Sequence, residues 1–414
     1  MRRNTSILVN ALLVVCSIAL AWALAEFVLF KPLLRHIPAP LFNHMVREAR
    51  VLGQSSKDGL VPGANYLGMS GDSYSQGLGD WFIESGYNRY AGFHSAHLLN
   101  DALGVDVVSF GRSGAGSVEG LVLEPLQDIR YLRRMGFDIA PPHCLLYYFY
   151  EGNDLGDNLK FLVRHFYPAG HTPEQVFDDA AFAAFLDGMV EEYSMGRARS
   201  FADGLPFSKF ALQLLRDKLI DPLGPFFGQS GEPKPSGAVN RLRVGGQEQY
   251  APNRMQSPGV GMTSRQVDEG VAVFRHALAY ARRALPKTRI FVVYIPAPLS
   301  CYDIVSDSVH VNVGPKRMHP AGEVERMHLR IRDAVHEAVR AQDVDWIDAT
   351  PRVRQACEER LLHGPVDWQH FNKTGYETLT GAILEQLAAH CEECFQRPCP
   401  KAHGDLPGPS KAAP

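Results

Sequence analysis

Ser73 lies in the segment Gly71-Asp72-Ser73-Tyr74-Ser75, directly after a run of strand-forming residues. A serine between a strand end and a helix start can point its hydroxyl outward towards a base. The backbone N–H groups of the helix start also favour a developing negative charge. These properties are those of a serine nucleophile for acyl chemistry. On its own, Gly-Asp-Ser is equally typical of a turn with a helix cap, so the assignment depends on partners elsewhere.

A candidate base and its orienting acid occur near the other end of the chain, in the segment 366–372. Asp367 and His370 are three residues apart, which in a helical turn places both side chains on one side. His370 can then act as general base on a hydroxyl while Asp367 stabilises the imidazolium. The chain contains 16 histidines, so this spacing alone would predict little.

Two further segments offer hydrogen-bond donors for a negatively charged oxygen. Gly111 lies in Ser109-Phe110-Gly111-Arg112-Ser113-Gly114, and glycine lets a backbone N–H approach a ligand closely. Asn153 lies in Glu151-Gly152-Asn153-Asp154, and its side-chain amide can donate to an oxyanion. One such donor contributes about 3–4 kcal/mol of transition-state stabilisation. Each segment by itself is also an ordinary turn.

The elements that must position these residues alternate between strand and helix patterns. Strand-forming runs occur at 65–70, 105–110, 144–150, 289–295 and 344–347. Helical patterns occur at about 89–103, 118–135, 264–285, 323–341 and 374–390. This alternation predicts an α/β fold with a parallel five-stranded sheet covered on both faces. All four polar segments are then expected at the carboxyl ends of the strands, where such sheets place their sites.

Residues from about 158 to 262 break the alternation. The first half is helical in pattern, and the second half is rich in Gly and Pro, which predicts loops or a short hairpin. We expect this insertion to form a cap over the active edge of the sheet, because long insertions are commonly functional. A surface decoration without substrate contact is the alternative.

The N-terminus carries a candidate membrane anchor. Arg2 and Arg3 precede an apolar run over residues 7–30, which at about 1.5 Å per residue crosses a hydrocarbon layer of about 30 Å. Basic residues before the run predict a single-pass anchor in the inner membrane with the domain in the periplasm. The alternative is a signal peptide cleaved after Ala23-Leu24-Ala25. Both interpretations export the domain.

Composition narrows the function further. Hydrophobic residues make up 45% of the 414 residues and the formal net charge is −3, so no nucleic-acid partner is expected. The predicted organisation is an anchor or signal peptide (1–30), a connector (31–63), one α/β domain (64–390) and a flexible tail (391–414).

Seven cysteines are consistent with an oxidising compartment. Cys144 lies in an apolar run, where a small buried side chain is a better interpretation than a disulfide. The tail spacing Cys391-x2-Cys394-x4-Cys399-x3-His403 has the form of a weak zinc site. A disulfide or free thiols explain it more simply, and we expect no metal and no cofactor.

In their order along the chain, the four segments resemble the consensus blocks of the SGNH (GDSL-like) hydrolase superfamily. The resemblance covers roughly residues 65–155 and 288–390 and includes Ser73, Gly111, Asn153 and His370. Glycine stands directly before Asn153, a form that exported members also show. The insertion lies outside the common pattern.

The resemblance implies a flavodoxin-like three-layer α/β/α fold and ester hydrolysis through an acyl-enzyme. Ser73 would be the nucleophile, His370 the base and Asp367 its orienting acid. The oxyanion would be held by the backbone N–H groups of Ser73 and Gly111 and by the side chain of Asn153.

Three functions are consistent with these residues. The first is an esterase acting on O-acyl or O-acetyl groups of a small molecule, lipid or polysaccharide. The second is an O-acetyltransferase of an exopolysaccharide or cell-envelope glycan, which would pass the acyl group from the serine to a sugar hydroxyl. The third is a non-catalytic binding or assembly protein, against which the retention of both Ser73 and His370 argues.

Overall fold

The structure is a computed structural model of the chain. It describes residues 2–36, 47–86, 94–196, 205–219, 240–312 and 317–396.

Five parallel strands form the central sheet, as the alternating pattern predicted. They are β1 (Leu67–Gly71), β2 (Val107–Ser109), β3 (Cys144–Tyr150), β6 (Arg289–Ile295) and β10 (Asp345–Asp348), in the spatial order β10-β6-β3-β1-β2. The order reverses at β1, so the loops after β1 and β3 diverge to opposite sides and leave a crevice at their carboxyl ends. Smaller antiparallel strands are β4 (Arg241–Val244), β5 (Gln247–Tyr250), β7 (Asp303–Ile304), β8 (Ser308–His310) and β9 (Met318–Pro320).

Helices connect the strands and cover both faces of the sheet. They are α1 (Arg2–Leu24), α2 (Phe30–Leu33), α3 (Ser73–Gln76), α4 (Asp80–Glu84), α5 (Ser95–Leu103), α6 (Glu124–Arg134), α7 (Asp154–Phe161), α8 (Asp179–Gly196), α9 (Pro206–Leu219), α10 (Ser264–Ala284), α11 (Pro298–Cys301), α12 (Gly322–Ala341), α13 (Thr350–Glu359), α14 (Lys373–Leu387) and α15 (Cys391–Phe395).

Two successive side chains of β3 show which helices lie on which face of the sheet. The ring of Phe149 packs against Phe274 of α10, at 5.1 Å between centroids, whereas the hydroxyl of Tyr148 donates to Ser95 of α5. Successive residues of a strand point to opposite faces, so α10 and α5 lie on opposite sides of the sheet. α10 begins at the capping box that Thr263 forms with Gln266.

The strand patterns were most accurate where both faces are buried. All residues of β3 are buried, and β3 and β6 begin and end where their apolar runs do. β2 is shorter than its pattern at 105–110, because Asp106 faces the connector. Its carboxylate accepts hydrogen bonds from the backbone of Asp58 and Gly63.

The described residues of the insertion do not form a single cap over the active edge of the sheet, but lie in several places. Its helix α8 lies against α10, where the ring of Phe182 stacks on His276 at 4.3 Å. The predicted hairpin is β4–β5, which β7 extends. The stretch that approaches the carboxyl ends of the strands contains Gln256, whose side chain contacts that of Gln369 at 3.4 Å. Insertion residues 197–204 and 220–239 lie outside the described part.

One apolar helical stretch, Val9–Leu29, is long enough to cross a membrane or to serve as a signal sequence. Most of its side chains are exposed, including Leu20 at 73%. Of the connector, residues 47–53 form a helical turn that packs on α6. Residues 37–46 lie outside the described part.

The prediction for Cys144 was wrong. Cys144 forms a disulfide with Cys394, and Cys301 forms one with Cys357. The tail does not begin at residue 391, because α15 is folded onto the domain with Cys391 and Phe395 buried. A cysteine in an apolar run resembles a core residue, and its partner here is 250 residues away. Cys391 is also disulfide-bonded, whereas Cys399 and His403 lie outside the described residues.

Candidate active site

Ser73 is the first residue of α3, immediately beyond the carboxyl end of β1. Asp72 caps this helix, because its Oδ1 accepts a hydrogen bond of 2.9 Å from the backbone N–H of Tyr74. The first N–H groups of a helix have no acceptor within the helix. The N–H of Ser73 is one of these groups, because Ser73 is the first residue of α3. Ser73 is 4% exposed, so its hydroxyl lies in a nearly covered position.

His370 and Asp367 meet Ser73 in one hydrogen-bonded chain. Nε2 of His370 lies 2.8 Å from Oγ of Ser73, across 297 residues of sequence. Nδ1 of His370 lies 2.6 Å from Oδ2 of Asp367. Because Nδ1 faces a carboxylate, it carries the proton, and Nε2 is then the acceptor for the serine hydroxyl. A base in this tautomer is arranged to take the proton of Ser73.

The Asp367 carboxyl is held in its charged form. Burial alone would raise its pKa, but the hydrogen bond from His370 and the electrostatic interaction with that ring lower it. Backbone N–H groups of Gln369 and His370 also donate to Oδ1, at 2.9 and 3.2 Å. The net result is a pKa below the usual 3.8, so Asp367 is ionised at neutral pH and can stabilise an imidazolium.

The loop that carries the base is fixed by groups that the sequence did not single out. Asp80, at the start of α4, accepts hydrogen bonds from the backbone N–H groups of Val366 and Asp367. The loop passes so close to Gly79 that a Cβ there would lie 2.1 Å from the carbonyl oxygen of Phe371. With φ at +142°, Gly79 also adopts a backbone conformation that favours glycine.

Two tyrosines hold the residue next to the base. The hydroxyls of Tyr74 and Tyr150 both donate to the carbonyl oxygen of Gln369, at 2.9 and 3.2 Å. Tyr74 follows the candidate nucleophile directly, and its ring lies 5.4 Å from that of His370. The only sequence signal for this role was a bulky residue between the two serines of Ser73-Tyr74-Ser75.

Asn153 lies beside the Asp72 carboxyl at the carboxyl end of β3. Burial raises the pKa of Asp72 to about 6, although hydrogen bonds from the Tyr74 backbone and the Asn153 side chain oppose the shift. The Oδ1 atom of Asn153 is buried without a hydrogen-bond partner among the described residues. Its amide is therefore next to the residue that precedes Ser73, and its role towards an oxyanion stays a prediction.

Asp154 is a second buried carboxyl at this edge. Burial, followed by the charges of Asp72 and Asp157, holds its pKa well above the usual value. Its Oδ2 accepts from the backbone of Tyr150, whereas its Oδ1 is buried without a partner in the described part of the chain.

Gly111 packs against the far side of α3. A Cβ at this position would lie 2.2 Å from Oγ of Ser75 and 2.4 Å from the backbone nitrogen of Gln76, so only glycine fits. The N–H of Gly111 donates to Oγ of Ser109 at 3.2 Å. The contacts of Gly111 thus lie one helical turn from Ser73, and its assignment as an oxyanion donor also stays a prediction.

Comparisons with known proteins do not identify the chain. No protein-family model matches it, and no curated protein matches it. A crystal structure that aligns over 81% of this chain and all of its own has 12% sequence identity and a TM-score of 0.36, which is too weak a likeness to carry an argument.

Proposed function

We propose that the chain is a serine ester hydrolase with Ser73 as nucleophile, His370 as general base and Asp367 as the acid that orients the base. One observation carries the proposal. Residues from opposite ends of the domain form the continuous contact Asp367–His370–Ser73, with both distances within hydrogen-bond range and the ring in the required orientation.

In the proposed reaction, Oγ of Ser73 attacks the ester carbonyl carbon and Nε2 of His370 takes the hydroxyl proton. The tetrahedral intermediate breaks its bond to the alcohol oxygen, which leaves with that proton. Water then attacks the acyl-enzyme, again with His370 as base, and releases the carboxylic acid and the free serine. Asp367 remains ionised throughout and stabilises the imidazolium.

The oxyanion of this reaction would be held at the start of α3. The N–H of Ser73 is supported by its position in the first helical turn. The Asn153 amide is supported by its place beside Asp72, the residue that precedes Ser73. Gly111 would contribute only after its N–H leaves Ser109, to which it now donates.

The family assignment is part of the proposal. The order of the four segments supports an SGNH (GDSL-like) hydrolase. The strand order β10-β6-β3-β1-β2 is the order of flavodoxin-like sheets.

The proposed location is the periplasmic side of the inner membrane, with Val9–Leu29 as the anchor. The two disulfides support an oxidising compartment. The proposed substrate is an acylated carbohydrate or lipid on that side of the membrane.

Labelling with a serine-directed fluorophosphonate tests the nucleophile. Wild type should be labelled and Ser73→Ala should not. Ser75→Ala is the matched control, because this neighbouring hydroxyl donates to the carbonyl oxygen of Asp72 and should not be needed for labelling. Equal labelling of wild type and Ser73→Ala would refute the proposal.

A nitrophenyl ester assay with and without an oligosaccharide acceptor distinguishes hydrolysis from acyl transfer. Acyl transfer would form an acylated sugar, whereas hydrolysis would not.

A further inference from the structure

Helix α9 is attached to the end of the candidate membrane helix. The carboxylate of Glu26 accepts hydrogen bonds from the backbone N–H groups of Phe207 and Ser208, both at 2.8 Å, and from the Ser208 hydroxyl at 2.6 Å. These are first-turn groups of α9, which have no acceptor within the helix. Glu26 therefore caps α9, and the helix dipole of α9 favours the negative charge.

Aromatic contacts fix the same junction. The ring of Phe207 lies 5.0 Å from Trp22 and 5.5 Å from Phe30, and Phe210 lies 5.6 Å from Phe30. Trp22 also donates its Nε1–H to the hydroxyl of Ser208 at 2.9 Å. Trp22 and Glu26 lie in the second half of the apolar stretch Val9–Leu29. α9 thus begins at the level where the stretch would leave a bilayer.

A second apolar side of α9 is exposed. Leu212 is 63% exposed and Leu215, three residues further on, is 54% exposed, so both leucines lie on one side of the helix. The membrane helix next to α9 exposes apolar side chains as well, such as Phe27 at 67% and Leu29 at 46%. α9 and the membrane helix that it contacts therefore both expose apolar side chains to the surroundings.

We propose that α9 lies in the interface of the lipid bilayer, with Leu212 and Leu215 among the acyl chains. A bilayer surface is the occupant that fits, because the junction with Glu26 places α9 at the end of the span. Lys209 and Arg216, three residues before and four residues after Leu212, flank the leucines on the helix and have the charge that anionic head groups attract. The capping contacts with α9 also stabilise Glu26, which would be costly if left unpaired near the hydrocarbon layer. This proposal rests on the anchoring part of the proposed function.

Depth measurements with spin labels test the proposal. The full chain, in a Cys16→Ser background, receives a nitroxide through Leu212→Cys or Leu215→Cys and is reconstituted into vesicles of phosphatidylethanolamine and phosphatidylglycerol. Both positions are exposed, so the label should not disturb the fold. Labels at 212 and 215 should collide more with oxygen than with a water-soluble nickel chelate. The matched control is Leu329→Cys on α12, which is 46% exposed and should show the reverse.

A label on the native Cys16 separates two kinds of failure, since Cys16 is the free cysteine among the described residues and lies within the apolar stretch. If Cys16 is in lipid while 212 and 215 resemble 329, the interfacial proposal is overturned and the anchor stands. If Cys16 also resembles 329, both the anchor and the interfacial helix are overturned.

Discussion

The two ends of the central sheet differ in whether their polar side chains have bonding partners. At the amino ends, Arg289 of β6 forms an ion pair with Asp345 of β10, with hydrogen bonds of 2.6 and 3.0 Å, and Cys144 of β3 is joined to Cys394. At the carboxyl ends, Asn153 and Asp154 have buried oxygens without partners among the described residues. The Asp72 carboxyl there has a raised pKa.

This difference agrees with the proposal that chemistry occurs at the carboxyl ends, and it leads us to expect that the amino ends contribute to stability alone. A buried polar atom without a partner costs about 1–3 kcal/mol, so such an atom calls for an explanation. Shifted pKa values and unpartnered donors and acceptors are typical of functional sites. Strand β3 connects the two ends, because it begins at the disulfide-bonded Cys144 and is followed directly by the segment that contains Asn153.

The largest expected effect is the loss of the base at the carboxyl end. His370→Ala should lower kcat for a nitrophenyl ester by about 10⁴–10⁶-fold, because Nε2 of His370 is the base at 2.8 Å from the Ser73 hydroxyl, whereas the contact of that hydroxyl with Oδ2 of Asp72 is longer, at 3.4 Å. Thermal unfolding should change little. His390→Ala, near the amino ends, is the control and should retain activity. A His370→Ala enzyme within tenfold of wild type would contradict the assignment.

The next effect concerns the proposed oxyanion donor. Asn153→Ala should lower kcat by about 10²–10³-fold with little change in KM, because the donor acts mainly on the transition state. Steady-state kinetics on the same ester measures both constants. An unchanged kcat would show that Asn153 does not take part in the reaction. Its unpartnered oxygen would then have no functional explanation.

The amino end should respond in stability alone. Replacing Cys144 and Cys394 together by serine should lower the free energy of unfolding by about 2–5 kcal/mol, because the disulfide restricts the unfolded chain. Urea unfolding in detergent measures the change, and Cys16→Ser is the control. Activity per folded molecule should stay at the wild-type level. A loss of activity comparable with that of Asn153→Ala would mean that the two ends are not functionally separate.

The smallest effect depends on pH. Burial raises the pKa of Asp72 from 3.8 to about 6, so the folded state favours the protonated carboxyl. That stabilisation is fully present below pH 3.8 and is lost as pH rises through about 6. Asp72→Asn cannot ionise, so its stability relative to wild type should rise by about 1–3 kcal/mol over this range. Unfolding curves at several pH values measure it, and a difference independent of pH would contradict the assigned pKa.

Sequence patterns located the parts of the fold and site that local chemistry determines. β3 and β6 were predictable because strands buried on both faces are apolar without interruption. Ser73, Asn153 and His370 were recognisable because their residue types lie at strand ends or near the last helix. The bond between Cys144 and Cys394 was not predictable, since nothing near Cys144 distinguishes a bridged cysteine from a buried one.

The supports of the site were missed for a related reason. Asp80 holds the backbone of Asp367 across 287 residues, and Tyr74 holds Gln369 across 295. An aspartate at a helix start and a tyrosine in a buried turn each have a sufficient local explanation. Their second role exists only once the chain has folded.

The hydrogen bond from Tyr74 to Gln369 has a consequence for motion. Tyr74 directly follows the candidate nucleophile Ser73, and Gln369 directly precedes the candidate base His370. The hydrogen bond between Tyr74 and Gln369 therefore joins the two chain segments that carry the nucleophile and the base. We expect thermal motion of the start of α3 to be transmitted to the loop with His370 through this hydrogen bond. This hydrogen bond should therefore limit changes in the separation of Ser73 and His370. We expect this separation to change little when the sheet fluctuates or when the domain moves relative to the candidate membrane helix.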